Sequence, residues 1–155
     1  MTITTKAMHT MKTRHILLLF VTAFSFVSCH KNYAEEYAGS YRLHYEIAVE
    51  ELGGVVYADD DILTIAAQGK EGDLTASCSA FSLSGWADAE GLHFDSYNTH
   101  TVQTDAVIDA AYEGADVAIQ DSILTWTTPV DFVMNLNAGV TLNYSGTQSH
   151  QAVRM

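Results

Sequence analysis

Between Gly39 and Glu50 the chain reads GSYRLHYEIAVE, and its apolar and polar positions alternate. Tyr41, Leu43, Tyr45, Ile47 and Val49 fall on one side, with Arg42, His44, Glu46, Ala48 and Glu50 on the other. A helix would scatter the first set around its circumference, whereas a strand puts all of it on one face. Gly53-Gly54 ends this first strand. A second has its core at residues 62–68 and is turned by Gly69-Lys70-Glu71-Gly72-Asp73; a third covers residues 74–84 and is bounded by Gly85. Asp88-Ala89-Glu90-Gly91 makes a turn with glycine where positive φ is wanted. A fourth strand covers residues 92–98. The apolar face changes parity at Ala80-Phe81, which a β-bulge explains.

Farther on, Val130, Phe132, Met134 and Leu136 alternate with Asp131, Val133, Asn135 and Asn137. Asn137-Ala138-Gly139 suits a three-residue hairpin loop, after which Val140, Leu142 and Tyr144 resume the alternation. Residues 104–113, TDAVIDAAYE, read as a strand with Ala106, Ile108, Ala110 and Tyr112 on one face. The same stretch also suits a short helix capped by Asp105 and stopped at Gly114. Short strands at intervals of about a dozen residues, mostly joined by tight turns, predict an all-β fold. The expected form is a single antiparallel, mostly up-and-down β-barrel of about seven or eight strands, which leaves no edge to defend. The alternative is a β-sandwich, whose Greek-key links need long crossovers that the spacing does not provide.

The first 28 residues differ from the rest. Lys12, Arg14 and His15 precede ILLLFVTAFSFV, residues 16–27, which carries no charge. A dozen residues is short of the roughly 20 that span a bilayer, and the layout is that of a secretory signal over residues 1–28. Met11 is its natural start, leaving residues 1–10 as an upstream start or a tag. Phe26-Val27-Ser28-Cys29 resembles the bacterial lipobox, which implies that Cys29 is acylated and becomes the N-terminus of the exported chain. Residues 29–38 then form a lipidated polar tether, and residues 39–155 the barrel.

Export sharpens the charge. The exported chain keeps four basic residues, Lys31, Arg42, Lys70 and Arg154, against all 19 acids, a net charge of −15 compared with −12 for the whole chain. Phosphate backbones are bound through Lys and Arg, so nucleic acid is excluded as a partner. Anionic headgroups are equally unsuited to the domain, so membrane attachment falls to the acyl chains on Cys29. Acylation of Cys29 also leaves Cys78 without a disulfide partner. LTASCSAFS offers that thiol no basic neighbour, and it reads as a small buried hydrophobe.

EEYAGSYRLHYEI resembles the opening of the calycin-like, lipocalin-like barrels found as small lipoproteins in Gram-negative bacteria. LTASCSAFSLSG resembles the third strand of such domains, and VTLNYSGTQ their closing strand with its late glycine. The resemblance covers residues 37–148. It implies a barrel lipid-anchored in the cell envelope, at the outer membrane on its periplasmic face or at the cell surface. It supplies no catalytic residues.

Candidate chemistry is sparse. Asp59-Asp60-Asp61 lacks the spacing and closing glutamate of a calcium loop and reads as a solvated hairpin tip. His93 and Asp95 share a strand face, and His100 lies past an expected turn at Asn98-Thr99. With His44 they would be zinc ligands only if three or four converged, and exposed histidines on an acidic protein are the simpler reading. No G-x-S-x-G elbow, P-loop or G-x-G-x-x-G run is present, so the expectation is a non-enzyme with no metal and no cofactor. A barrel of this size is either filled or holds one small ligand. Tyr41, Leu43, Tyr45, Trp126, Phe132 and Met134 are the expected lumen residues. The expected function is binding of a small apolar or amphipathic molecule. The alternative is a non-catalytic interaction or structural subunit of the envelope with a filled barrel and a protein partner of unknown kind.

Overall fold

The alternation at the start of the domain is realised as β1 (Gly39–Val49), in which Tyr41, Leu43, Tyr45 and Val49 are buried. The computed structural model describes residues 31–69 and 71–155; the leader, its apolar run and Cys29 lie outside them. A one-turn helix, α1 (Ala34–Tyr37), precedes β1. The strands that follow are β2 (Gly54–Ala67), β3 (Asp73–Ser77), β4 (Ser82–Ala87), β5 (Leu92–Phe94), β6 (Tyr97–Val102), β7 (Ala106–Tyr112), β8 (Ala115–Gln120), β9 (Ile123–Leu136) and β10 (Val140–Arg154). All pairings are antiparallel, and β9–β10 and β10–β1 close the sheet. The result is a closed eight-stranded barrel with two further strands, β6 and β7.

Those two strands prolong the barrel wall. Phe94 pairs with Ala115 and Tyr97 with Tyr112, so β5–β6 and β7–β8 form one long hairpin interrupted at Asp95-Ser96 and Glu113-Gly114. The wall is therefore an up-and-down meander in chain order. Opposite the interruption stands Pro129, whose carbonyl accepts the Glu113 amide at 3.1 Å. In an antiparallel strand a residue's N and O point to the same side, so the missing proline N–H falls where the ladder is already broken.

Several local expectations are corrected. Residues 74–84 are two strands: Cys78 donates to the Phe81 carbonyl at 2.9 Å across a tight turn, and β3 pairs with β4. The parity change at Ala80-Phe81 is thus a chain reversal and not a bulge. Gly85 lies inside β4, where a Cβ would sit 2.2 Å from the His93 carbonyl oxygen, so it permits close approach and does not end a strand. The fourth strand does not turn at Asn98-Thr99 but continues as β6 to Val102. Residues 106–112 are strand, which decides between the two readings of that stretch.

The short β3–β4 hairpin shapes the barrel. It pairs with β2 only along residues 64–67, so the upper part of β2 and the outer edge of β6 face each other without a strand between them. In the lower half, Leu43, Leu63, Ile65, Leu74, Leu83, Leu92, Phe94 and Trp126 fill the interior. The stretch read as a polar tether docks beneath it: Ala34 is fully buried in this core, and Tyr33 and Tyr37 pack against it. Carbonyls at the end of α1 are held by Arg154, at 3.2 Å from Glu36 and 2.7 Å from Ala38, and by the Tyr41 hydroxyl at 2.7 Å from Tyr37. Asn32 donates to the Gly69 carbonyl at the same end, which is thereby closed.

Candidate functional site

The upper half of the barrel holds a cavity of about 480 Å³. Its wall comes from alternate residues of each stave, because paired strands present register partners on one face. Strand β1 contributes Tyr45, Ile47 and Val49; β6 and β7 contribute Tyr97, Thr99, Ile108 and Tyr112; β9 and β10 contribute Phe132, Met134, Tyr144 and Gln148. Phe81, on the β3–β4 turn, and Tyr57, on β2, flank the gap between β2 and β6. Tyr97 and Tyr112 stack in parallel at 4.3 Å, and Phe81 meets Tyr45 edge-on at 5.9 Å.

Polar groups at the cavity floor are few. The Tyr97 hydroxyl donates to Gln148 Oε1 across the barrel at 3.2 Å, and Gln148 is itself almost fully buried. Beneath it His150 lies flat on Trp126 and near Tyr45 and Phe81. Burial raises the pKa values of Tyr97 and Tyr112, so both stay neutral hydroxyl donors.

Of the six lumen residues expected from sequence, Tyr45, Phe132 and Met134 line this cavity. Tyr41, Leu43 and Trp126 point inward but lie in the filled lower half. Tyr57, Phe81, Tyr97 and Tyr112 line the cavity too and lie outside that expected set. Their positions depend on the β3–β4 reversal and on β6 continuing past Asn98, neither of which the local pattern discloses.

The Asp59-Asp60-Asp61 run lies in mid-strand, not at a hairpin tip. Successive side chains therefore face opposite ways. Asp59 and Asp61 pair with the inward residues Tyr45 and Leu43, whereas Asp60 pairs with outward His44. Asp61 fastens the base of the gap. Its Oδ2 accepts the Ser79 hydroxyl at 2.5 Å and the Ser79 amide at 2.8 Å, and its Oδ1 the Ile62 amide at 2.7 Å. The Ser79 hydroxyl chiefly holds this carboxyl below the usual carboxylate range. Asp59 instead accepts the Tyr57 hydroxyl at 2.9 Å beside the cavity wall.

The histidines do not converge. His44 faces Asp60 at 2.8 Å, His93 faces Asp116 at 2.7 Å, and His100 faces Asp109 at 2.5 Å, each across a pair of strands. Each pair is also a register pair, so these are three separate cross-strand contacts. Among the described residues no group of three His, Cys, Asp or Glu side chains is placed to hold a metal ion. Cys78 is a free, half-buried thiol packed against the core, and burial pushes its pKa up. Among the described residues no helix is long and apolar enough to cross a membrane.

The chain matches no family model, no curated protein and no solved structure.

Proposed function

We propose that this protein is an exported lipoprotein, anchored in the cell envelope through acylated Cys29, whose barrel binds one small apolar or amphipathic molecule. The cavity carries the reading. Its volume of about 480 Å³ falls within the roughly 300–1,000 Å³ of small-molecule sites, and its mostly apolar wall with a few placed polar groups has their usual make-up. The filled-barrel alternative describes the lower half of the molecule alone.

Asn32 enters at the closed end, beside the β2–β3 turn, whereas the cavity lies toward the β6–β7 and β9–β10 loops. Native mass spectrometry of protein purified from its own host tests both parts. The expected result is a chain beginning at acylated Cys29 with a small molecule bound. A chain beginning elsewhere without acylation overturns the anchor. A ligand-free barrel that takes up no apolar dye overturns the binding reading.

A further inference from the structure

We infer that the cavity selects an organic cation, an amphipathic molecule whose ammonium group sits among the tyrosine rings beside Asp59 while its apolar part fills the lumen. This deepens the binding reading above and rests on it.

Among the described residues, the wall of the cavity contains no basic side chain and no histidine. An anionic amphiphile such as a fatty acid would leave its carboxylate uncompensated there, which burial strongly penalises. Seven aromatic rings line the wall instead, among them Tyr45, Tyr57, Tyr97 and Tyr112. Ring faces attract cations, and more strongly once water is excluded.

Asp59 adds charge at the rim. It sits on the inward side of β2 as the register partner of Tyr45 and is bonded to Tyr57, itself a wall residue. Its carboxylate accepts two hydrogen bonds, from the Tyr57 hydroxyl and the Asp60 amide. That leaves lone pairs for a ligand. Its charge also reaches the interior: the Tyr45 pKa is raised chiefly by burial and in smaller part by Tyr57 and Asp59. Asp61, the neighbouring inward carboxylate, is occupied by Ser79 and Ile62. Asp59 is therefore the assigned counter-charge. The exported chain's charge of −15 also favours cations at long range.

The test uses three probes of matched size on the full chain, read by calorimetry: phenylbutyltrimethylammonium, its uncharged tert-butyl isostere, and the phenylalkyl carboxylate of equal length. The cation is expected to bind roughly tenfold more tightly than the neutral isostere, with the carboxylate weakest. Asp59→Asn, an exposed change that keeps an oxygen acceptor for the Tyr57 hydroxyl, should remove most of that preference. Equal binding of cation and isostere overturns the charge assignment and leaves the binding reading standing. So does a preference that survives Asp59→Asn. If none of the three binds, the binding reading falls and this inference with it.

Discussion

His150 and Trp126 lie in near-parallel contact inside the barrel, ring centroids 4.2 Å apart and planes 8° from parallel. They are register partners on β10 and β9, both buried, and neither imidazole nitrogen has a hydrogen-bond partner among the described residues. Burial lowers the His150 pKa to about 4, with the Trp126 backbone pulling weakly the other way.

This depressed pKa makes stability fall on acidification. Below about pH 6.5 the unfolded chain takes up a proton at His150 that the folded chain refuses until about pH 4. The loss across that window should reach about 3 kcal/mol. His93 works in the opposite sense: Asp116 raises its pKa, so its contribution is full below pH 6.5 and fades as pH rises through the raised value. Urea midpoints at pH 7, 5.5 and 4 for the native chain and His150→Phe check the assignment. The variant should lose less stability than the native chain between pH 6.5 and 4, and equal losses in both would contradict it.

Gly85 and Gly139 separate crowding from backbone strain. A Cβ at Gly85 meets the His93 carbonyl oxygen at 2.2 Å and Phe94 Cδ1 at 3.0 Å, so β4 and β5 must move apart to admit it. Gly85→Ala should cost about 3 kcal/mol. Gly139 has φ of 80° but open space around it, and Gly139→Ala should cost about 1 kcal/mol. Denaturant titration ranks the two, and a reversed order would refute the packing argument.

Across the cavity floor, Tyr97→Phe removes the donor to buried Gln148 Oε1. A stranded buried acceptor costs about 1–3 kcal/mol, whereas removing both polar partners costs less. Tyr97→Phe with Gln148→Leu should therefore be more stable than Tyr97→Phe alone. A double-mutant cycle by chemical denaturation measures this coupling, and simple additivity would show that the bond contributes nothing.

Much of the barrel was legible because its signals are local. The alternation in β1, in residues 130–136 and in β10 follows from one face meeting core and the other water, and the glycine turn at residues 69–73 announces itself. Strand β8 and the first half of β9 went unread. Their link, Asp121-Ser122, is a two-residue turn with positive φ at both positions but no glycine. Pro129 likewise argues against a strand until the break beside it is seen.

The candidate site was half legible. Tyr45, Phe132 and Met134 share the parity of their strands' inward faces, which period two reveals. Period two also places Tyr41 and Leu43 inward, where the structure has them, but it cannot say how far along the barrel axis the packing stops. That depends on the length of the β3–β4 hairpin, which covers the lower half of the wall and leaves β2 and β6 apart above it.

Residue order thus sufficed for strand faces, most turns, the acidic charge and the all-β meander, since each arises from neighbours within a few positions. Tertiary pairing decided the rest. It turned alternate members of an aspartate run toward opposite faces, one to pin Ser79 and one to stand beside the cavity. It also gathered aromatic rings from six strands and a turn around one space, because closing a sheet brings together residues that no local pattern relates.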